Sequence, residues 1–413
     1  MLQINTKPTH SLPEPSAPEK AQSEALCRHI VAVIEEAGGA IPFSAFMDLA
    51  LFSPLGGYYT SSKPKLGKAG DFVTAPELSP LFSQCLAEQS AEILAHIPHG
   101  NILEFGAGTG RMAGEILNTL VTEKGFSGKY FILEPSGSLR AQQAAYLSEH
   151  YPAELFARFV WLDRLPEKFA GVILANEVLD AFPVERFAVT AGCINRLWVG
   201  VDTEESAGFR LFSKPNDLPA LESLFASRDW PSTYCSEFHP QLSAWLATLS
   251  DSVTQGGLLV LDYGFPEDTY YHPDRRTGTL MCHYRHYAHA DPFFYPGIQD
   301  ITAHVDFSAI ATAASNTGWT GLGYTDQANF LINLGLLNRL ERESIARTMP
   351  MAPAALKAIQ GVQTLLSPSE MGESIKVIAL GKNLPQSIDL SGFSTKNRYS
   401  QLVKNRLLKQ IGH

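Results

Sequence analysis

Cysteine is scarce in this chain and poorly placed for cross-linking. The five residues Cys27, Cys85, Cys193, Cys235 and Cys282 are far apart, odd in number and without a Cys-x-x-Cys pair. Neither a disulfide framework nor a zinc cluster follows from them, and a reducing compartment fits. Long apolar runs are missing as well; none approaches the roughly 20 residues that span a bilayer, so no membrane insertion is expected. Positive charge is in deficit, with 32 Lys and Arg against 42 Asp and Glu and a formal net charge of −10. Phosphate neutralisation needs clustered cations, which argues against a broad nucleic-acid-binding face. The same balance suits a basic peptide or protein partner. Met1 to Glu19 carries neither a signal-peptide apolar core nor an Arg-rich amphipathic pattern, so the expected location is cytoplasmic.

What the chain does have is an ordinary globular composition over 413 residues, enough for one large domain with insertions or for two domains. It is organised around Asn101-Ile-Leu-Glu-Phe-Gly-Ala-Gly-Thr-Gly110, a short buried strand running into a glycine turn. Met112, Ile116, Leu117 and Leu120 then recur at helical spacing. Strand, glycine turn and helix make a nucleotide-binding βα unit, in which glycines let the backbone approach a ligand and the helix N-terminus offers free N–H groups. A dinucleotide fingerprint wants Gly-x-Gly-x-x-Gly, but the sixth position from Gly106 is Arg111. The next strand, Tyr130 to Leu133, ends at Glu134, whose carboxylate can accept both hydroxyls of a ribose. With Glu104 before the glycines and no third glycine at the dinucleotide position, S-adenosyl-L-methionine is the better ligand, and a nicotinamide dinucleotide is disfavoured. Glu104, Gly106, Ala107, Gly108, Gly110 and Glu134 are the cofactor-binding candidates of this unit.

The β-α-β-α rhythm continues through a strand at Phe156 to Leu162 and another at Gly171 to Ala175. Continuous apolar strands of this kind argue for an α/β fold, a parallel sheet covered on both faces. In such sheets the ligand lies at the carboxyl ends of the strands. Asp163, Asn176-Glu177 and Asp262-Tyr263 fall there together with the glycine turn, which adds Asp163 and Asn176 to the cofactor candidates. Glu177 and Asp180 share a face if a helical turn begins at 177. Two carboxylates so placed can clamp a guanidinium by bidentate hydrogen bonds and are the catalytic candidates. The alternative is that Asp180 caps a helix and Glu177 is merely solvated. Asp300, His304 and Asp306 lie in a loop-to-strand segment and are candidates for substrate binding, although alternation would spread them over both faces. Their spacing matches no familiar metal signature, so no metal is expected. Four histidines and four tyrosines crowd residues 270–289, either as a substrate lid or as a packed aromatic insertion.

These stretches resemble the MidA family of S-adenosylmethionine-dependent methyltransferases. The resemblance runs from about Ile41 to Lys382 and rests on Gly57-Tyr-Tyr, Gly70-Asp-Phe-Val-Thr-Ala-Pro-Glu-Leu-Ser and Glu104-Phe-Gly-Ala-Gly-Thr-Gly. It continues in Glu134-Pro-Ser with Leu139-Arg140 and Gln143, Asn176-Glu-Val-Leu-Asp-Ala-Phe-Pro-Val, Leu261-Asp-Tyr-Gly, and Asp300-Ile-Thr-Ala-His-Val-Asp-Phe. It implies a Rossmann-like, seven-stranded class I methyltransferase sheet with its last strand antiparallel. It also implies that the loop 70–77 covers the cofactor, which brings in Thr74. The family includes a mitochondrial arginine methyltransferase that helps assemble respiratory complex I, which implies methylation of an arginine in a protein subunit. Ser83-Gln84 and Arg111 depart from the family pattern, and the double-glutamate and Thr-His-Trp loops of the main arginine methyltransferases are absent.

The expected organisation is a disordered tail over 1–22, a helical region over 23–98 covering the cofactor, and a methyltransferase domain over 99–383. Insertions interrupt that domain at about 184–238 and 265–300, and a basic tail follows over 384–413. The expected function is transfer of methyl from S-adenosylmethionine to a protein arginine ω-nitrogen, the alternative being a non-catalytic S-adenosylmethionine-binding assembly factor. The oligomeric state is left open.

Overall fold

A computed structural model of the chain describes residues 12–61, 71, 74–202, 208–346, 353–385 and 388–403. The chain divides into two compact units, one comprising 73–179, 242–265 and 307–413, the other 1–72, 180–241 and 266–306.

The first unit holds a mixed sheet. Its strands are β1 Asn101–Phe105, β2 Tyr130–Leu133, β3 Phe159–Leu162, β4 Phe169–Asn176, β5 Val253–Phe265, β6 Thr320–Asp326 and β7 Ile375–Lys382. They lie in the order β6-β7-β5-β4-β1-β2-β3. β1 pairs in parallel with both β2 and β4, β2 with β3, and β4 with β5. β7 pairs antiparallel with β5 and with β6. The order reverses beside β1, so the carboxyl ends of β1 and β4 border the crevice where such sheets bind ligands. Leu258 to Leu261 and Val172 to Ala175 are fully or almost fully buried, as central strands covered on both faces must be. Helices Pro80–Leu94 and Arg111–Lys124 supply Phe82, Leu86, Ile116 and Leu117 to the same core. The strand expected from Phe156 begins at Phe159, because Ala153–Phe156 forms a helical turn after Pro152.

The second unit is built from three separated segments, so the region 23–98 is not one body: the division falls at 72/73. Its first helix spans Ala17–Glu36 and begins inside the tail expected to be disordered; of that tail, residues 1–11 lie outside the described residues. The Ser16 amide donates to the Glu19 carboxylate at 2.7 Å, the return half of a Ser-x-x-Glu capping box, and Pro18 sits in the first turn. Leu26, Ile30 and Ile34 of this helix join Phe43, Phe46 and Val199 in one core. Strands Glu185–Thr190, Cys193–Asp202, Gly208–Pro215 and Thr233–Phe238 form the antiparallel ribbon, the last of them without a patterning signal in the sequence. Met281–Tyr284 and Tyr287–His289 make a hairpin. Its two turn residues, Arg285 at φ 49° and His286 at φ 65°, are both left-handed, as a tight hairpin requires. Tyr270, Tyr284 and Cys282 of the aromatic stretch 270–289 are fully buried, while Met281 and Tyr287 are exposed. Of the basic tail, Ser391–Phe393 is a 3₁₀ turn with Phe393 buried, and 404–413 lie outside the described residues. No helix among the described residues is long and apolar enough to cross a membrane.

Candidate functional site

Three glycines define the turn after β1. Gly106, Gly108 and Gly110 have φ of 59°, 53° and 85°, all in the left-handed region where a Cβ is strained. Ala107 is buried, and its carbonyl accepts the Gly110 amide at 2.7 Å. Glu134, at the end of β2, is buried and accepts from the Ser136 amide at 3.0 Å and from Gln143 Nε2 at 3.2 Å. Gln143 Nε2 also donates to the Gly108 carbonyl at 3.1 Å, and Gln143 Oε1 accepts from Trp161 Nε1 at 3.0 Å. Gln143 therefore ties the glycine turn to the acid. Two lone pairs on each Glu134 oxygen leave capacity for ribose hydroxyls.

Glu104 is placed differently from the turn it precedes. It is buried within β1, where Tyr130 Oη donates to it at 2.8 Å. Burial, and to a lesser extent the charge of Glu134, push its carboxyl up to about 8, against the pull of the Tyr130 bond. Asp163 is largely exposed and is held by Arg140 Nη1 at 2.7 Å. Arg140 also donates to the carbonyls of Leu162, at 2.7 Å, and of Glu134, so it ties together the ends of β2 and β3.

At the end of β4, Asn176 is buried and its Oδ1 has no hydrogen-bond partner among the described residues. A buried acceptor left unsatisfied costs about 1–3 kcal/mol, so a ligand donor at this point would be stabilising. Glu177 follows in the left-handed region at φ 52°, unusual for a residue with a side chain. Its Oε1 accepts from Asn176 Nδ2 at 3.2 Å and from the Ala75 amide at 3.4 Å, while its own amide donates to the Leu261 carbonyl. No helical turn forms at 177, which removes the premise that Glu177 and Asp180 share a helix face. Glu177 is itself outside the right-handed helical region, and the turn after it is held from β5 by the fully buried Asp262, whose Oδ2 takes the amides of Val178 at 3.1 Å and Leu179 at 2.8 Å. Thr74 precedes the short helix Ala75–Leu78, and its carbonyl accepts the Glu77 amide at 3.0 Å. Gly70, Phe72 and Val73 of the expected covering loop lie outside the described residues.

The strain at Glu177 gives a testable outcome. Glu177→Gly is expected to leave the apo protein as stable as the wild type or up to about 1 kcal/mol more stable, because glycine relieves the left-handed cost. The same variant should fail to restore methylation in a strain lacking the gene. A thermal midpoint several degrees below wild type would refute the strain argument.

Asp180 belongs to the other unit, as do Asp300, His304 and Asp306. There Asp300 is buried and accepts from Tyr59 Oη at 3.0 Å and from the Ile301 amide at 3.0 Å. Burial first, then the neighbouring Asp180 carboxylate, push its carboxyl up to about 8. Asp180 also binds this segment through its carbonyl, which accepts the Ala303 amide at 2.9 Å. Asp71 and Tyr58 complete the cluster, with Tyr58 Oη donating to Asp71 at 2.9 Å. Asp71 has a structural task as well: its carboxylate and carbonyl take the amides of Arg285 and His286, holding the left-handed hairpin turn. The other two substrate candidates have neighbours of their own. The His304 amide donates to Thr279 Oγ1 at 3.1 Å, and the His304 ring neighbours His239, which burial and then His304 push down to about 4. Asp306 faces Tyr270 and Tyr271. Tyr58, Tyr59 and Asp71 are not among the site candidates read from the sequence, although Gly57-Tyr-Tyr and Gly70-Asp are among the stretches that carry the family resemblance. Among the described residues no group of three or more His, Cys, Asp or Glu side chains could hold a metal ion.

A switch-point crevice with a left-handed glycine turn, a ribose-competent acid and an unsatisfied acceptor on the next central strand has the makings of a nucleoside-binding site. The chain belongs to the family described as "Putative S-adenosyl-L-methionine-dependent methyltransferase", whose profile matches residues 85–325. It is 30% identical over 389 residues to the mouse mitochondrial protein arginine methyltransferase NDUFAF7, covering 88% of this chain and 85% of that one. A Drosophila melanogaster homologue of the same name is 26% identical over 403 residues, covering 91% and 89%. The crystal structure of a COG1565 superfamily member from Burkholderia thailandensis bound to S-adenosyl-homocysteine superposes with a TM-score of 0.88 at 42% identity, covering 95% of this chain and 100% of that one. The cofactor is S-adenosyl-L-methionine. The residues present fit it, most directly through the unsatisfied Asn176 Oδ1, which suits a donor such as the α-ammonium of its amino-acid part.

Proposed function

We propose that this protein methylates an arginine ω-nitrogen of a protein substrate. The observation that carries the reading is the buried pair Asp180 and Asp300, in which burial and mutual repulsion raise the Asp300 carboxyl to about 8. A guanidinium brought beside the pair would offset both effects, since a planar cation with five donors matches two carboxylates in bidentate fashion. The curated relatives bear the name protein arginine methyltransferase, which points the same way.

S-adenosylmethionine supplies a sulfonium-bound methyl group open to in-line attack. The glycine turn, Glu134 and Asn176 bind that donor in this reading, with Ala107, Thr74 and Glu177 at its margin and Glu104 and Asp163 supporting the strand ends. Asp180 and Asp300 orient the guanidinium, and a carboxylate held beside the nitrogen is placed to take the proton that it loses. His304 and Asp306 would act on the polypeptide around the acceptor. A subunit of a complex I-type assembly is the first candidate substrate.

The test is mass spectrometry of methyl-arginine peptides from cells with and without the gene. At least one mono- or dimethyl-arginine site is expected to vanish on deletion and to return with the wild-type gene but not with Asp180→Ala. An unchanged methyl-arginine inventory, with a methyl-lysine or small-molecule product lost instead, would overturn the assignment of arginine.

A further inference from the structure

The short helix Ala75–Leu78 makes three polar contacts with the strand ends around the donor site. Glu77 reaches the exit of the glycine turn: Thr109 Oγ1 donates to Glu77 Oε1 at 2.5 Å, and Arg111 Nε pairs with Glu77 Oε2 at 3.1 Å. Two residues earlier, the Ala75 amide donates to Glu177 Oε1 at 3.4 Å. The helix is backed closely, since a Cβ on Gly361 would lie 2.3 Å from the Leu78 carbonyl oxygen. Arg111 is the residue that breaks the dinucleotide fingerprint; it lies 5.5 Å from the centroid of the Tyr146 ring while its Nε faces Glu77.

We propose that Glu77 is a positioning residue of the donor site. It clamps Thr109 and Arg111 at the end of the glycine turn and, through its own helix, holds the Glu177 carboxylate at the end of β4. Donor binding and the docking of residues 74–79 are then one equilibrium: a bound donor keeps the clamp closed, and the clamp slows donor release. Only 12% of the Glu77 side chain is exposed, against 50% of that of Arg111, so the ion pair is partly open to salt.

The experiment measures S-adenosylhomocysteine affinity by calorimetry and its dissociation by stopped flow, on the full chain. Glu77→Gln keeps an acceptor for Thr109 and removes the charge; Arg111→Met removes the other partner and serves if the first variant folds poorly. Each is expected to raise the dissociation constant on the order of fivefold, chiefly through faster release. The double variant should add little to either single one, because both break the same clamp. Raising salt from about 50 mM to about 500 mM should speed release from the wild type toward the variant rate and leave Glu77→Gln unchanged. A purely structural residue would lower thermal stability without this change in salt dependence. Affinity and release within about twofold of wild type, or an equal salt response in both proteins, would overturn the proposal. The inference rests on the donor lying at the glycine turn, which Gly108→Val tests separately. Retained affinity in that variant removes the site itself, whereas lost affinity there with a wild-type-like Glu77→Gln removes only the role of Glu77.

Discussion

Gly108→Val is expected to lower affinity for S-adenosylmethionine on the order of 100-fold, close to 3 kcal/mol. Gly108 has φ 53°, where an L-residue with a Cβ is strained by about 1–2 kcal/mol and a β-branched one is an outlier. The turn avoids that strain only by moving, and moving it breaks the bond from Gln143 Nε2 to the Gly108 carbonyl that ties the turn to Glu134. An added side chain also stands where backbone must approach the ligand. Gly108→Ala should show the same loss in smaller measure. Isothermal titration checks the outcome, with circular dichroism to confirm that each variant is folded. Unaltered cofactor binding in a folded Gly108→Val protein would show that the donor lies elsewhere.

Asp300→Asn should make the apo protein more stable than the wild type at pH 8 and equal to it near pH 4. The Asp300 carboxyl is raised from 3.8 in the unfolded chain to about 8 in the fold, burial being the first cause and Asp180 the second. Between those values the native state binds a proton that the unfolded state has released, so stability falls as pH rises through this window. Each tenfold change in proton affinity is worth about 1.4 kcal/mol, which puts the difference at pH 8 on the order of 3–6 kcal/mol. Asparagine retains an oxygen for Tyr59 and for the Ile301 amide and cannot ionise. His239 and His289, both pushed down to about 4 chiefly by burial, act in the opposite sense, losing stability as pH falls. They are common to both proteins and cancel in the comparison. Urea denaturation at several pH values gives the two curves; parallel curves from pH 4 to 8 would refute the argument. If the proposed acceptor is right, the same variant should also lose methylation of arginine, because the amide cannot offset a guanidinium charge.

The glycine turn and the polar strand ends are largely legible in the sequence, because their signals are local. Gly106, Gly108 and Gly110 follow one strand, Glu134 ends the next, and Asn176 ends a third; each is read from a few neighbouring residues. Ser16-x-x-Glu19 is an equally local signal, and it starts the first helix six residues ahead of Ser23, where the apolar spacing alone would begin it. Glu177 and Asp180 mislead for a different reason. Their spacing is helical, but Glu177 takes a left-handed backbone and the turn after it is held by Asp262, more than 80 residues away in sequence.

The chain by itself determined the α/β layering, the glycine turn and the acids at the strand ends, since these depend on periodicity and on what a glycine permits. Tertiary structure alone decided which distant segments share a core. It joined residues 1–72 with 180–241 and 266–306, because Leu26, Ile30 and Ile34 bury their apolar face only against residues contributed by all three segments. It also brought Tyr59 onto Asp300 across 241 positions of sequence and set Asp180 beside that carboxyl. No local pattern encodes a carboxylate raised to about 8, because the shift comes from burial and from a second charge supplied by another segment.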